Sequence, residues 1–204
     1  VRFLLFERAY PDSVAAAVHG ADAVVNLVGI LQESGQQSFS GVQAQGARAV
    51  AQACASFGIE RLVQMSALGA DGESKSRYAR NKAEGEAAVL SLVPNAVVLR
   101  PSVMFGPEDT FFNRFASLAR MLPVLPLVGG GETKFQPVFV GDVAKAVALA
   151  IDGKVEGGRI YELGGPEVKN FRELVEYVCE VTGRKRLIAS LPFPLARIQA
   201  QVLE

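Results

Sequence analysis

Along the first hundred residues, short unbroken apolar runs alternate with longer stretches whose apolar residues recur at helical spacing. The runs sit in "RFLLFE" (2–7), "ADAVVNLVGI" (21–30), "ERLVQMSA" (60–67) and "NAVVLRPSVMFG" (95–106). Continuous runs without polar alternation suit strands covered on both faces, as in a parallel sheet. Between them, "PDSVAAAVHG", "FSGVQAQGARAVAQACASFG" and "RYARNKAEGEAAVLSLV" are alanine-rich and amphipathic, and predict helices. The first is expected to be capped by Asp12-Ser13 and to stop at Gly20; the second is expected to stop at Gly58. Strand and helix alternating at this interval predict an α/β fold, a doubly wound parallel sheet with right-handed crossovers.

After Gly106 the rhythm loosens. "EDTFFNRFASLARMLPVLPLVGGGETKFQP" predicts a helix, two prolines and a glycine-rich turn. "VGDVAKAVALAI" predicts a helix capped by Asp142, followed by a strand in "GRIYELGG". "NFRELVEYVCEVTG" predicts a helix N-capped by Asn170 and closed by Gly183. The expected division is a sheet core over 1–106 and a smaller α/β lobe over 107–204, with 138–164 returning to the core.

Composition narrows the functional classes. The 21 Lys and Arg balance the 21 Asp and Glu, which argues against a nucleic-acid binder with its clustered basic excess. The basic cluster Arg184-Lys185-Arg186 reads as a solvated turn at a helix end, where cations are favoured. One histidine and two distant cysteines make no zinc site, so no metal is expected. Cys54 and Cys179 fall in apolar helical patterns and read as buried thiols in a reducing compartment. No apolar run reaches the roughly 20 residues of a spanning helix. The chain opens on Val1 in an apolar run and closes on "PLARIQAQVLE" in a helical pattern. Both ends are therefore expected to be cut, with any targeting segment out of view. A stripe of Leu195, Ile198 and Val202 reads as ordinary core, with a membrane-bound partner as the sharper alternative.

Candidate chemistry follows from topology. Open parallel sheets bind ligands beyond the carboxyl ends of their strands. That rule selects Asn26 to Gly29, Ser66, and Pro101-Ser102: small or polar residues where a nucleotide would approach the backbone. Tyr78 and Lys82 are four apart on a helix that follows the Ser66 strand, so they share a face about one turn apart. A nearby ammonium favours phenolate, so the pair is expected to bring the phenol down towards working pH for proton transfer to or from a carbonyl or hydroxyl.

These segments resemble a known family. "YARNK", with "VQMSALGAD" before it and "VVLRPSVMFGPEDTFFNRF" after it, is similar to the extended or atypical short-chain dehydrogenase/reductases of the epimerase/dehydratase type. "GGGETKFQPVFVGDVA" and "YELGGPEVKNFRELVEYV" continue the same pattern. Within that superfamily the chain looks most like the nucleotide-binding accessory subunits of respiratory complex I and their bacterial relatives.

The resemblance implies a Rossmann-like fold holding NADP(H) or NAD(H); the complex I group suggests NADPH, but the residues do not separate the two. It implies that Asn26, Leu27, Val28 and Gly29 pass the adenine-side ribose and phosphates. Ser66, Tyr78 and Lys82 match the family's catalytic serine, tyrosine and lysine. Pro101, Ser102 and Val103 match the backbone beside the nicotinamide, and Asn113 and Gln136 fall where substrate-side contacts are found. One departure matters. The family's Gly-x-x-Gly-x-x-Gly turn, which binds the pyrophosphate through backbone amides, is absent from these 204 residues. The first βαβ unit is accordingly expected to be missing, cofactor binding to be weakened, and Val1 to Tyr10 to lie outside the family pattern.

Three functions follow from the resemblance. One is a cofactor-holding subunit with residual reductase activity, docked on a respiratory complex or other membrane-associated partner. Another is an epimerase/dehydratase or ketone reductase acting on a small molecule. The third is a non-catalytic fragment. The expected location is cytoplasmic, or peripheral at the inner membrane.

Overall fold

The computed structural model describes residues 11–192. The strand expected at 2–7 and the apolar stripe from Leu195 lie outside the described residues. The described residues pack as two compact units. The first takes in the chain through Pro101 together with Gly141–Leu163; the second takes in Ser102–Val140 and the chain from Gly164.

The first unit is built on four parallel strands: β1 (Val24–Asn26), β2 (Leu62–Met65), β3 (Val97–Pro101) and β8 (Arg159–Leu163), adjacent in that order. Helices α1 (Pro11–Val18), α2 (Gly46–Ser56) and α3 (Arg77–Leu92) cover one face, and α5 (Val140–Ile151) covers the other. The two faces differ in chemistry because side chains alternate along a strand. Under α5 the sheet is apolar, with Val25, Val63, Met65, Val97, Leu99, Tyr161 and Leu163 packed around Ala150. Towards α2 and α3, β2 begins with Leu62, then presents buried Gln64, and Ser66 follows at the strand's exit. The same face carries Val24 then Asn26 on β1, and Val98 then Arg100 on β3. Polarity on this face therefore rises towards the carboxyl end of the sheet.

Several local expectations need correction. Helix α1 covers Pro11–Val18, so Asp12 and Ser13 lie within it and do not precede it. Asp142 likewise lies inside the first turn of α5, where a carboxylate favours the helix dipole without capping it. Helix α2 is entered through a wide π-helical turn, Ser40–Gln45. The expected closures hold: Gly20, Gly58 and Gly183 all take positive φ.

Helices α2 and α3 approach closely at Gly85. A Cβ there would clash with the carbonyl oxygen of Gln43, in the turn that leads into α2, a backbone atom that cannot swing aside, and would come within 3.2 Å of the Ala47 Cβ of α2. Gly85→Ala should therefore lower stability by about 1–3 kcal/mol in urea titration, although alanine is the better helix former. Equal or greater stability would show that the helices separate freely.

In the second unit, α4 (Phe111–Met121) and α6 (Phe171–Val181) pack on a parallel pair, β5 (Val124–Val128) and β10 (Leu187–Leu191). Their core joins Ala119, Leu125, Leu127, Val175 and Cys179 with Phe115, Phe171 and Ile188. Asn170 and Glu173 form a reciprocal capping box at the start of α6. Short pairs β4 (Met104–Phe105) with β7 (Val138–Phe139), and β6 (Lys134–Phe135) with β9 (Lys169–Asn170), complete the unit. Arg186 is not merely solvated: its Nε donates to the Ala119 carbonyl at 2.6 Å, satisfying the end of α4.

Both cysteines are free and buried. Desolvation pushes the Cys54 thiol from 9.0 up to about 11. Between those values the unfolded chain releases a proton that the folded chain keeps, so folding stability falls as pH rises through this window. The gap corresponds to roughly 3 kcal/mol at ~1.36 kcal/mol per pH unit. Denaturant melts of wild type and Cys54→Ala from pH 8.5 to 11 should show a flatter alkaline slope in the variant; parallel slopes would remove the thiol from the account.

Candidate functional site

The rim of the first unit is assembled by α3. Ser76 caps it by accepting from the Ala79 backbone N–H, which sets Tyr78 in the first turn. Residues 78, 82 and 86 then follow at four-residue intervals and form one stripe. Lys82 and Glu86 are buried in that stripe, while Tyr78 is half-buried.

Lys82 Nζ donates to the Met65 carbonyl at 3.4 Å and lies 6.0 Å from the centre of the Tyr78 ring. It also lies over Gly29, where a Cβ would come within 3.2 Å of it. Gly29 thus leaves space for the ammonium at the exit of β1. The Tyr78 ring meets Phe39 edge to face, with centroids 5.7 Å apart.

The titration behaviour corrects the sequence expectation. Desolvation raises the Tyr78 phenol above its ordinary value; the lysine does not bring it down. Burial also lowers the Lys82 ammonium, and the nearby Glu86 charge only partly opposes this. An ammonium 6 Å from the ring does not outweigh loss of water around the phenol.

Ser66 occupies a tighter environment. Its backbone N–H donates to the Leu99 carbonyl at 2.7 Å, and its hydroxyl donates to Glu86 Oε1. Arg100 grips the same carboxylate with a fork, Nε to Oε1 at 2.9 Å and Nη2 to Oε2 at 2.7 Å. Its Nη1 reaches Glu162, the cross-strand partner of Arg100, at 3.3 Å. The fork raises the Arg100 guanidinium further above its already high value.

The other expected residues fall into distinct groups. Asn26 is buried: its Nδ2 donates to Gln64 Oε1 at 2.8 Å, and its Oδ1 accepts the Val28 N–H at 3.1 Å. Asn26 therefore shapes the β1 exit, while Leu27 and Gly29 are exposed beside it. Pro101 is buried and accepts the Leu68 N–H at 2.9 Å. Ser102 and Val103 open the second unit, where the Val103 carbonyl accepts the Val138 N–H at 3.0 Å. Asn113 and Gln136 also belong to that unit and use their amide groups on backbone. Asn113 Nδ2 donates to the Pro107 and Asp109 carbonyls, and Gln136 Nε2 donates to Gly165 at 2.6 Å. Sequence reasoning missed Glu86, Arg100 and Gln64. The four-residue interval extended past Lys82 would have found Glu86.

A parallel sheet wound on both faces, with buried polar side chains at its carboxyl rim, defines a Rossmann-type nucleotide-binding fold. The chain belongs to the NAD dependent epimerase/dehydratase family, whose pattern matches residues 3–164. That match starts inside the segment set apart by sequence as unlike the family, and corrects that expectation. The chain is 40% identical over 191 residues to the mitochondrial NADH dehydrogenase [ubiquinone] 1 alpha subcomplex subunit 9 of Arabidopsis thaliana, covering 93% of this chain and 48% of that protein. It is 30% identical over 188 residues to a ceramide reductase of Caulobacter vibrioides, covering 90% of this chain and 57% of that protein. The chain thus spans about half the length of these curated relatives. In fold it is similar to a dTDP-4-dehydrorhamnose reductase of Bacillus anthracis in complex with NADP, with TM-score 0.77 and 16% identity, covering 93% of this chain and 73% of that one.

Proposed function

We propose that the rim holds NAD(P), with Lys82 and Tyr78 on the nicotinamide ribose, in a protein like the subunit 9 relatives that retains the nucleotide as part of a respiratory assembly. The observation carrying this reading is Lys82. A buried ammonium has three donors, and the hydrogen bond described for it goes to Met65, over a residue with no side chain. Vicinal ribose hydroxyls would supply acceptors for the remaining donors. The cofactor itself would supply hydride chemistry; the chain's own residues supply orientation and a proton at Tyr78. Among the described residues, no helix is long and apolar enough to cross a membrane.

Retention ranks ahead of turnover because the phenol is raised and the Ser66 proton is already engaged by Glu86. The second reading, NAD(P)-dependent carbonyl reduction, is favoured by the presence of Ser66, Tyr78 and Lys82 together in one unit. These 204 residues contain no Gly-x-x-Gly-x-x-Gly turn, so the pyrophosphate would lack that cradle and binding would be weakened. Calorimetric titration of NADPH into the chain should give binding weaker than micromolar, and Tyr78→Phe should leave it within a few-fold. Submicromolar binding would refute the weakening; no binding, also after addition of a glycine-turn βαβ unit, would refute the nucleotide reading. If Tyr78→Phe abolished NADPH-dependent reduction of a carbonyl probe at unchanged affinity, turnover would replace retention as the role.

A further inference from the structure

We propose that Glu86, clamped by Arg100, is a positioning residue that accepts the hydrogen bond of the Ser66 hydroxyl and leaves the serine oxygen with acceptor capacity only. The proposal rests on reading that rim as the ligand site. It starts from proton counting. A carboxylate held by a guanidinium fork has lone pairs but no proton to give, so the Ser66 hydroxyl must be the donor to Glu86. A serine hydroxyl has one proton. Once that proton is engaged, only acceptor capacity is left.

The geometry makes the arrangement hard to reverse. Ser66 is 5% exposed and Glu86 3%, so water does not compete freely for either group. The Ser66 backbone is pinned to Leu99 on β3, and Arg100 stands one residue further along that strand. Strand β3 therefore fixes both the serine and the residue that orients its partner. Breaking the serine–carboxylate bond to turn the hydroxyl towards a ligand would leave a buried acceptor under-satisfied.

The consequence concerns ligand chemistry. A group seated at Ser66 must bring its own proton, as an alcohol or other hydroxyl does. A bare carbonyl oxygen would find no donor at Ser66 and would depend on Tyr78 alone. The rim accordingly takes hydroxyl-bearing ligands in preference to their ketones.

The test is proton NMR of the whole chain, with hydroxyl assignment through the serine β-protons. Wild type should show a slowly exchanging hydroxyl resonance that disappears in Ser66→Ala. The paired substitution Glu86→Leu with Arg100→Met removes both charges together, and should abolish the resonance while leaving the amide fingerprint of the sheet in place. Arg100→Lys keeps a cation but loses the fork; it should shift the resonance and serves if the paired variant does not fold. NADPH at saturation should leave the resonance present. Absence of the resonance in wild type, its survival in the paired variant, or an unchanged position in Arg100→Lys would overturn the assignment. Failure of the ligand-site reading looks different: NADPH would then shift no amide around Gly29, Ser66 or Lys82, also after addition of a glycine-turn βαβ unit, whatever the serine proton does.

Discussion

Arg100→Met should lower folding stability by about 3–5 kcal/mol, the usual cost of stranding a buried charge. Glu86 would lose both bonds of the fork, and its side chain is only 4% exposed. Ser66 could still donate to it, but one neutral donor does not replace a guanidinium. The paired change, Glu86→Leu with Arg100→Met, should recover most of the loss because it strands no charge. Urea titration of the single and paired variants reads the difference directly. A single variant within 1 kcal/mol of wild type would mean that the ion pair behaves like an exposed one.

Lys82→Met should produce two effects of opposite sign. Without nucleotide the melting temperature should rise, because burial already disfavours the ammonium and methionine fills the same stem without a charge to desolvate. NADPH affinity should fall roughly 10- to 100-fold, the ~1.5–3 kcal/mol carried by hydrogen bonds to a charged group. The pH dependence follows from the same cause. The folded ammonium titrates below 10.5, so just below that value the unfolded chain holds a proton that the folded chain has released. Stability from this group therefore rises with pH across the window, and Lys82→Met should remove that rise. A variant that melts lower without nucleotide and binds NADPH as wild type does would contradict both assignments.

The parts of this architecture that could be read from sequence are those with local causes. Strands β1, β2 and β3 were visible as apolar runs, and α3 by its spacing; its serine cap, Ser76, came only with the structure. Tyr78 and Lys82 could be paired because a helix fixes what four residues mean. Arg100 could not be read in this way, since it sits inside an apolar strand and finds Glu86 only when α3 folds across the sheet. The direction of the Tyr78 shift was also hidden. It depends on the balance between a cation 6.0 Å from the ring and the water lost by burial, and only tertiary packing sets that balance. In the second unit, Pro126 obscured β5, although Leu125 and Leu127 alternate inward on either side of it. Proline is tolerated there because β5 is bonded to β10 in a two-stranded pair, with no second ladder to interrupt among the described residues.

Asn113 and Gln136 were marked for substrate contact by resemblance alone, and the carbonyls their amides hold were not legible: Asn113 Nδ2 donates to Pro107 and Asp109, and Gln136 Nε2 to Gly165. Ser66 is a similar case. Its place at a strand exit was legible, but which partner takes its proton was not.

A crystal structure of the protein grown with NADPH addresses the rim most directly. The expected result is a dinucleotide along the carboxyl ends of β1 to β3, with ribose oxygens within ~3.2 Å of Lys82 Nζ and the Tyr78 hydroxyl. A nucleotide bound elsewhere, with Lys82 still resting on Met65 alone, would contradict it.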